Sequence, residues 1–143
     1  MGLKLIEHGS KEYKQMIDLR YAILRQPLGL NFSEDELLKE KDNILIAAFD
    51  EEKILGCCML VKQDRNTLQL RQMAVNNNLQ GKGIGASIMS FAESISKDKG
   101  YNKIVMNARN NAIGFYEKFG YKVKSGEFIQ YNTPHHVMEK ILI

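Results

Sequence analysis

Apolar residues recur along this chain with two periods, and the switches between them outline the elements. In "KEYKQMIDLRYAILR" (11–25), Tyr13, Met16, Ile17, Arg20, Ile23 and Leu24 fall three or four places apart, the spacing of one helix face. Pro27 stops that helix. Ser33, three places before Glu36, forms a capping box ahead of Leu37 and Leu38 and predicts a short second helix. "LKLIE" (3–7), "NILIAAFD" (43–50), "KILGCCMLVKQ" (53–63) and "TLQLRQMAV" (67–75) read as strands. The polar gaps at 50–52 and 64–66 join the last three as hairpins.

Helical spacing returns with Ile84, Ile88, Phe91, Ala92 and Ile95, and Gly100 suits the C-cap. "KIVMNA" (103–108) follows as a strand and "NAIGFYEKFG" (111–120) as a short helix; "YKVKSGEF" (121–128) pairs with "HHVMEKILI" (135–143) to close the chain. The order β-α-α-β-β-β-α-β-α-β-β predicts an α/β fold of the mixed-sheet α+β kind. Its sheet is mostly antiparallel, flanked by about four helices, with one parallel crossover between 67 and 108.

Length and composition narrow the classes. At 143 residues, 44% hydrophobic and 26% charged, residues 1–143 are expected to form one domain. The longest apolar run, Ile54 to Val61, falls far short of the roughly 20 residues that span a bilayer. The N-terminus also lacks the apolar centre of a signal peptide, so a cytoplasmic protein without a membrane partner is expected. Gly2 does not begin a myristoylation motif, because Ile6 stands where Ser or Thr is needed. Cys57 and Cys58 are neighbours in a strand, point to opposite faces and read as packed, reduced thiols. Three histidines without metal-ligand spacing predict no metal site. A formal charge of +3 without a basic block points away from nucleic acid.

The chemistry-bearing stretch is "LQGKGIGASIM" (79–89), with Gly81, Gly83 and Gly85 in front of a helix. Such a start offers unpaired N–H groups and the positive end of the helix dipole, which together hold an anion. A Walker P-loop requires Ser or Thr directly after the lysine, whereas Gly83 follows Lys82. The dinucleotide fingerprint is formally met by Gly81, Gly83 and Ala86, but three antiparallel strands precede it and Asn107 stands where an acidic residue is wanted. The remaining pattern is Gln/Arg-x-x-Gly-x-Gly/Ala, met by Gln80, Gly83 and Gly85.

With that pattern, residues 67–121 resemble the GNAT N-acetyltransferase superfamily: "LRQMAV", "NNNLQGKGIGASIM" and "NARNNAIGFYEKFGY" match its two most recognisable motifs in order and separation. The resemblance implies acetyl-coenzyme A as cosubstrate, its pyrophosphate on the backbone of Gln80, Gly81, Lys82, Gly83, Ile84, Gly85 and Ala86. It also implies a sheet splayed after Val75, where the pantetheine arm lies, and backbone N–H groups of Met73, Ala74 and Val75 facing the acyl oxygen. Tyr116 matches the tyrosine that commonly faces the coenzyme sulfur and is the expected general acid.

The base is less directly readable. Gln69 and Arg71 occupy positions where some relatives carry Glu or His, and neither accepts a proton. Glu127, His135 and His136 border the expected acceptor pocket; adjacent strand residues face opposite ways, and His135 is placed first. Arg109 stands where many relatives have a pantetheine-binding asparagine. Asn107, Asn110 and Asn111 are alternatives for that contact, Asn110 being read first as a helix cap, and a phosphate of the coenzyme is the alternative partner for Arg109.

The acceptor is expected to be a small-molecule or peptide amine. Arg20 and Arg25 suit a carboxylate and Glu36 and Glu127 a polycation, though each reads first as a solvated surface charge. A non-catalytic acyl-coenzyme A binding module is the rival reading, and homodimerisation is left open.

Overall fold

Eight strands form one sheet in the order β1-β2-β3-β4-β5-β8-β6, with β7 paired to β8 off that path. They are Gly2–Ile6 (β1), Ile44–Asp50 (β2), Lys53–Lys62 (β3), Thr67–Val75 (β4), Lys103–Arg109 (β5), Lys122–Val123 (β6), Phe128–Gln130 (β7) and Thr133–Ile141 (β8). The computed structural model describes residues 1–143. Every pairing is antiparallel except β4 with β5, as expected for a strand, helix, strand crossover. Four α-helices flank the sheet: Lys11–Arg20 (α1), Glu34–Leu38 (α2), Ile84–Asp98 (α3) and Ile113–Glu117 (α4).

Strand alternation divides the core in two. Tyr13, Met16 and Leu19 of α1 pack with Leu45, Ala47, Cys57 and Met59 on one face. Ile84, Ile88, Met89 and Ala92 of α3 pack with Ile46, Cys58, Leu60, Leu68 and Ile104 on the other. Each fully buried Leu, Ile or Met among them contributes about 1.5–3 kcal/mol. Cys57 and Cys58 therefore lie in different core clusters and are both free thiols, as predicted. At Gly56 a Cβ would come within 2.9 Å of Ile88 Cδ1 and 3.1 Å of the Ala74 oxygen, so the absent side chain is what lets α3 lie close on β3.

Four expectations need correction. The helix over 11–25 is α-helical only to Arg20 and continues as a π-helical turn, Tyr21–Arg25, before Pro27. The strand over 121–128 is broken into β6 and the start of β7; in the gap between them the Ser125 Oγ, in place of a main-chain oxygen, accepts from the Val137 amide. Third, Arg20 is fully buried and Arg25 is 5% exposed, so neither is a solvated charge. Arg20 donates to both carboxylate oxygens of Glu40, at 2.8 and 2.7 Å, and Glu40 also accepts from the Tyr13 hydroxyl at 2.8 Å. The capping box at Ser33 is half made: its Oγ accepts from the Glu36 amide, but the Glu36 carboxylate turns to Arg25 at 2.7 Å.

Candidate functional site

Strand β4 runs beside β5 only as far as the pairing of Leu70 with Met106, so residues 71–75 have no strand on that side. On the other side, Gly56 and Cys57 face Val75 and Ala74 whereas Met59 faces Arg71. β4 thus carries one extra residue opposite Cys58, and Gln72 takes up the bulge in a left-handed conformation, φ 58°. The Cys57 thiol donates to the Gln72 oxygen at 3.6 Å. The Asn76 amide donates to Leu55, so alternation turns the Val75 amide toward the split.

The loop after β4 is the second half of the site. Asn76 Oδ1 accepts from the Asn78 amide, and the Gln80 side chain bonds back to the Val75 oxygen at 3.1 Å and to Asn77 at 3.2 Å. Gly81 and Gly83 have φ of 83° and 84°, a backbone that disfavours any other residue. Gly83 is the N-cap of α3 and has no side chain to cap it. None of the seven amides from Gln80 to Ala86 finds an acceptor within the protein; the first helical bond runs from the Ser87 amide to the Gly83 oxygen. Free donors in a row at the positive end of a 15-residue helix are the physical requirements of an anion site.

Loop and split open into one cleft of about 780 Å³ that passes through the sheet, from Phe115 and Tyr116 of α4 to Ile23, Leu24 and Arg25 of the π turn. Met73, Ala74, Val75, Gln80, Gly81, Gly83, Gly85 and Ala86 line it, together with Asn111, Tyr116 and His135. Lys82 does not line it and is exposed, and Ile84 sends its side chain into the core. Gln69 and Arg71 are in the wall, as expected from their strand positions.

Tyr116 is 7% exposed, and its hydroxyl has no protein hydrogen-bond partner. Burial, with Cys58 nearby, pushes its pKa well above the ordinary phenol value, so it holds its proton. His135 is 3% exposed, stacks on Phe128 at 5.9 Å and places Nδ1 2.7 Å from the Thr133 oxygen. A carbonyl oxygen only accepts, so Nδ1 carries a proton; in the neutral ring Nε2 is then the basic nitrogen. His136 faces away and bonds Asn110 at 2.7 Å, and neither it nor Glu127 lines the cleft.

Asn110 is not a helix cap. Its amide group bridges Glu127 and His136, and α4 is entered through a 3-10 turn, Asn110–Ala112, without a side-chain cap. Sequence reasoning missed Tyr131, at the tip of the β7–β8 hairpin with φ 50°, and the part of Ile23 and Leu24 in the wall. The signal for the hairpin is the Tyr131-Asn132 pair between short strands, since Asn tolerates the left-handed backbone such turns need.

The chain belongs to the acetyltransferase (GNAT) domain family, whose model matches residues 30–142. Acyltransferase chemistry with acetyl-coenzyme A as cosubstrate is what defines that family. A Xenopus tropicalis protein named probable N-acetyltransferase 14 is 34% identical over 130 residues, covering 88% of this chain. The chain spans only 55% of that relative's length. The uncharacterized N-acetyltransferase YjcF of Bacillus subtilis is 33% identical over 107 residues, 74% of each chain. Among solved structures, an aminoglycoside 6'-N-acetyltransferase complexed with coenzyme A superposes with a TM-score of 0.85 at 18% identity, covering 100% of this chain and 98% of its own. No helix is long and apolar enough to cross a membrane.

Proposed function

We propose that this chain is an N-acetyltransferase that moves an acetyl group from acetyl-coenzyme A to a primary amine by direct attack, with no acylated residue. The observation that carries the reading is the run of unbonded amides from Gln80 to Ala86 beside a parallel strand pair that parts. Those amides fit a diphosphate, and the cleft that continues through the sheet fits the arm attached to it. Bound there, the coenzyme supplies a thioester-activated acetyl group.

The chain's own groups supply the rest. Within Met73 to Val75, the main-chain N–H that faces the β5 side, that of Val75, takes up charge developing on the acyl oxygen. Nε2 of His135 accepts a proton from the amine, and the buried, protonated Tyr116 gives one to the departing thiolate. Asn111, which lines the cleft, bonds the pantetheine arm in this reading.

Incubation with acetyl-coenzyme A and an amine panel, following free thiol, tests the reading. Amine-dependent thiol release is expected, with kcat about 100-fold lower in Tyr116→Phe and an unchanged melting temperature, since the hydroxyl makes no bond within the protein. Coenzyme binding without turnover on any amine would contradict it and support a binding module.

A further inference from the structure

Two guanidinium groups in the cleft have no carboxylate partner. Arg71 donates to the Tyr131 hydroxyl at 3.3 Å and Arg109 to the Leu24 oxygen at 3.2 Å, and neither joins any of the protein's ion pairs. A third, Arg25, is paired with Glu36 and lies over the Tyr131 ring at 4.6 Å. All three line the cleft, whose wall contains no Asp or Glu. Gathering like charges in a half-buried place is unfavourable until an anion joins them. Burial and the nearby Arg25 both work against the charge of Arg109.

The arginines stand across the sheet from the glycine loop. Leu68 and Leu70 of β4, and Met106 and Ala108 of β5, face the core beneath α3, so Arg71 and Arg109, one residue out of step, face the other side. There the π turn and the β7–β8 hairpin hold them through Leu24 and Tyr131. Arg109 is the cross-strand partner of His135, which faces the same way. Loop amides at the start of α3 supply the diphosphate's partners, leaving this cationic cluster to the opposite mouth of the cleft.

We propose that the acceptor amine carries an oxyanion, a carboxylate or a phosphate, held by Arg71 and Arg109 beside His135. The inference rests on the transfer reading above and adds the class of acceptor to it. A guanidinium fork matches the edges of both oxyanions, and a polycationic acceptor such as an aminoglycoside meets only like charge here.

The test measures thiol release from acetyl-coenzyme A with leucine, leucinamide, the phosphonate analogue of leucine, and spermidine. Calorimetry on protein saturated with coenzyme A compares N-acetylleucine with N-acetylleucinamide, and both measurements are repeated in Arg71→Gln and Arg109→Gln. One of the two acids is expected to exceed leucinamide in kcat/KM by about tenfold or more, with the ratio falling toward one in each variant. Which acid leads separates carboxylate from phosphate. Equal use of leucinamide or spermidine overturns the proposal, as does a roughly tenfold loss of coenzyme A affinity in the variants, which would assign the arginines to the coenzyme's phosphates. If no amine reacts yet N-acetylleucine binds better than its amide, and only with the arginines present, the oxyanion site stands and the transfer reading fails. If amines react without preference for acids, the transfer reading stands and the oxyanion site fails. Absence of both reaction and preferential binding overturns both.

Discussion

Gly85 and Phe115 are fitted to each other: a Cβ at Gly85 would lie 3.1 Å from Phe115 Cζ and 3.4 Å from its Cε1. The ring is packed edge-on against Tyr116 and Phe119, each 5.1 Å away, so a Cβ at Gly85 would press it toward the cleft that it lines. The third glycine of the loop therefore serves to bring α3 against α4, next to the proposed general acid. Gly85→Ala gains about 0.5–1 kcal/mol of helix propensity against the crowding of Phe115, so denaturant titration should show little net change in stability while kcat falls through the shifted Phe115 and Tyr116.

His135→Asn keeps a donor for the Thr133 oxygen, since the asparagine amide can replace Nδ1, and removes the nitrogen that would take the amine's proton. Its kcat/KM should fall, while His136→Asn, on the other face of β8, should leave kcat/KM unchanged. A matching loss in both variants would remove His135 from the mechanism.

Cys57 links stability to alkaline pH. Burial pushes its thiol from 9.0 up to about 12, so between those values the unfolded chain is ionised and the folded one is not. The folded state then holds the extra proton, and stability present below pH 9.0 is lost as pH rises toward about 12. The slope is on the order of 1.4 kcal/mol per pH unit for one group. Chemical denaturation at stepped pH should show the decline, and Cys57→Ala should lower its slope by one group's share; the Cys58 thiol, also pushed up by burial, keeps part of it. Native protein at pH 8 should leave both thiols unlabelled by a thiol reagent.

Glu40 is the buried counter-charge of Arg20, whose Nε has no partner. Burial disfavours the Arg20 charge and Glu40 outweighs it, raising the pKa of Arg20. Glu40→Gln should cost about 3–5 kcal/mol in denaturant titration, and a double Arg20→Met, Glu40→Met variant should recover most of it.

Much of this fold could be read from the sequence because its elements are locally encoded. The two periods separate α1 and α3 from β2, β3 and β4, and the polar gaps at 50–52 and 64–66 give the hairpins. The glycine loop was legible because free amides require particular backbone angles at Gly81 and Gly83. What stayed hidden depends on partners far apart in the chain. Nothing local in "YAILR" signals a π turn whose Leu24 oxygen receives Arg109 from β5, 85 residues away. Asn110 has a cap's chemistry, yet Glu127 and His136 claim its side chain. Arg20 sits at helical spacing among apolar residues, and only the fold brings Glu40 to it.

Amide NMR spectra recorded while coenzyme A is added decide whether the glycine loop holds the diphosphate. The amides of residues 80–86, unbonded in the free protein, should show the largest shifts and slowed hydrogen exchange as they take acceptors. Saturable binding that leaves those amides unmoved, or the absence of binding, would contradict the account.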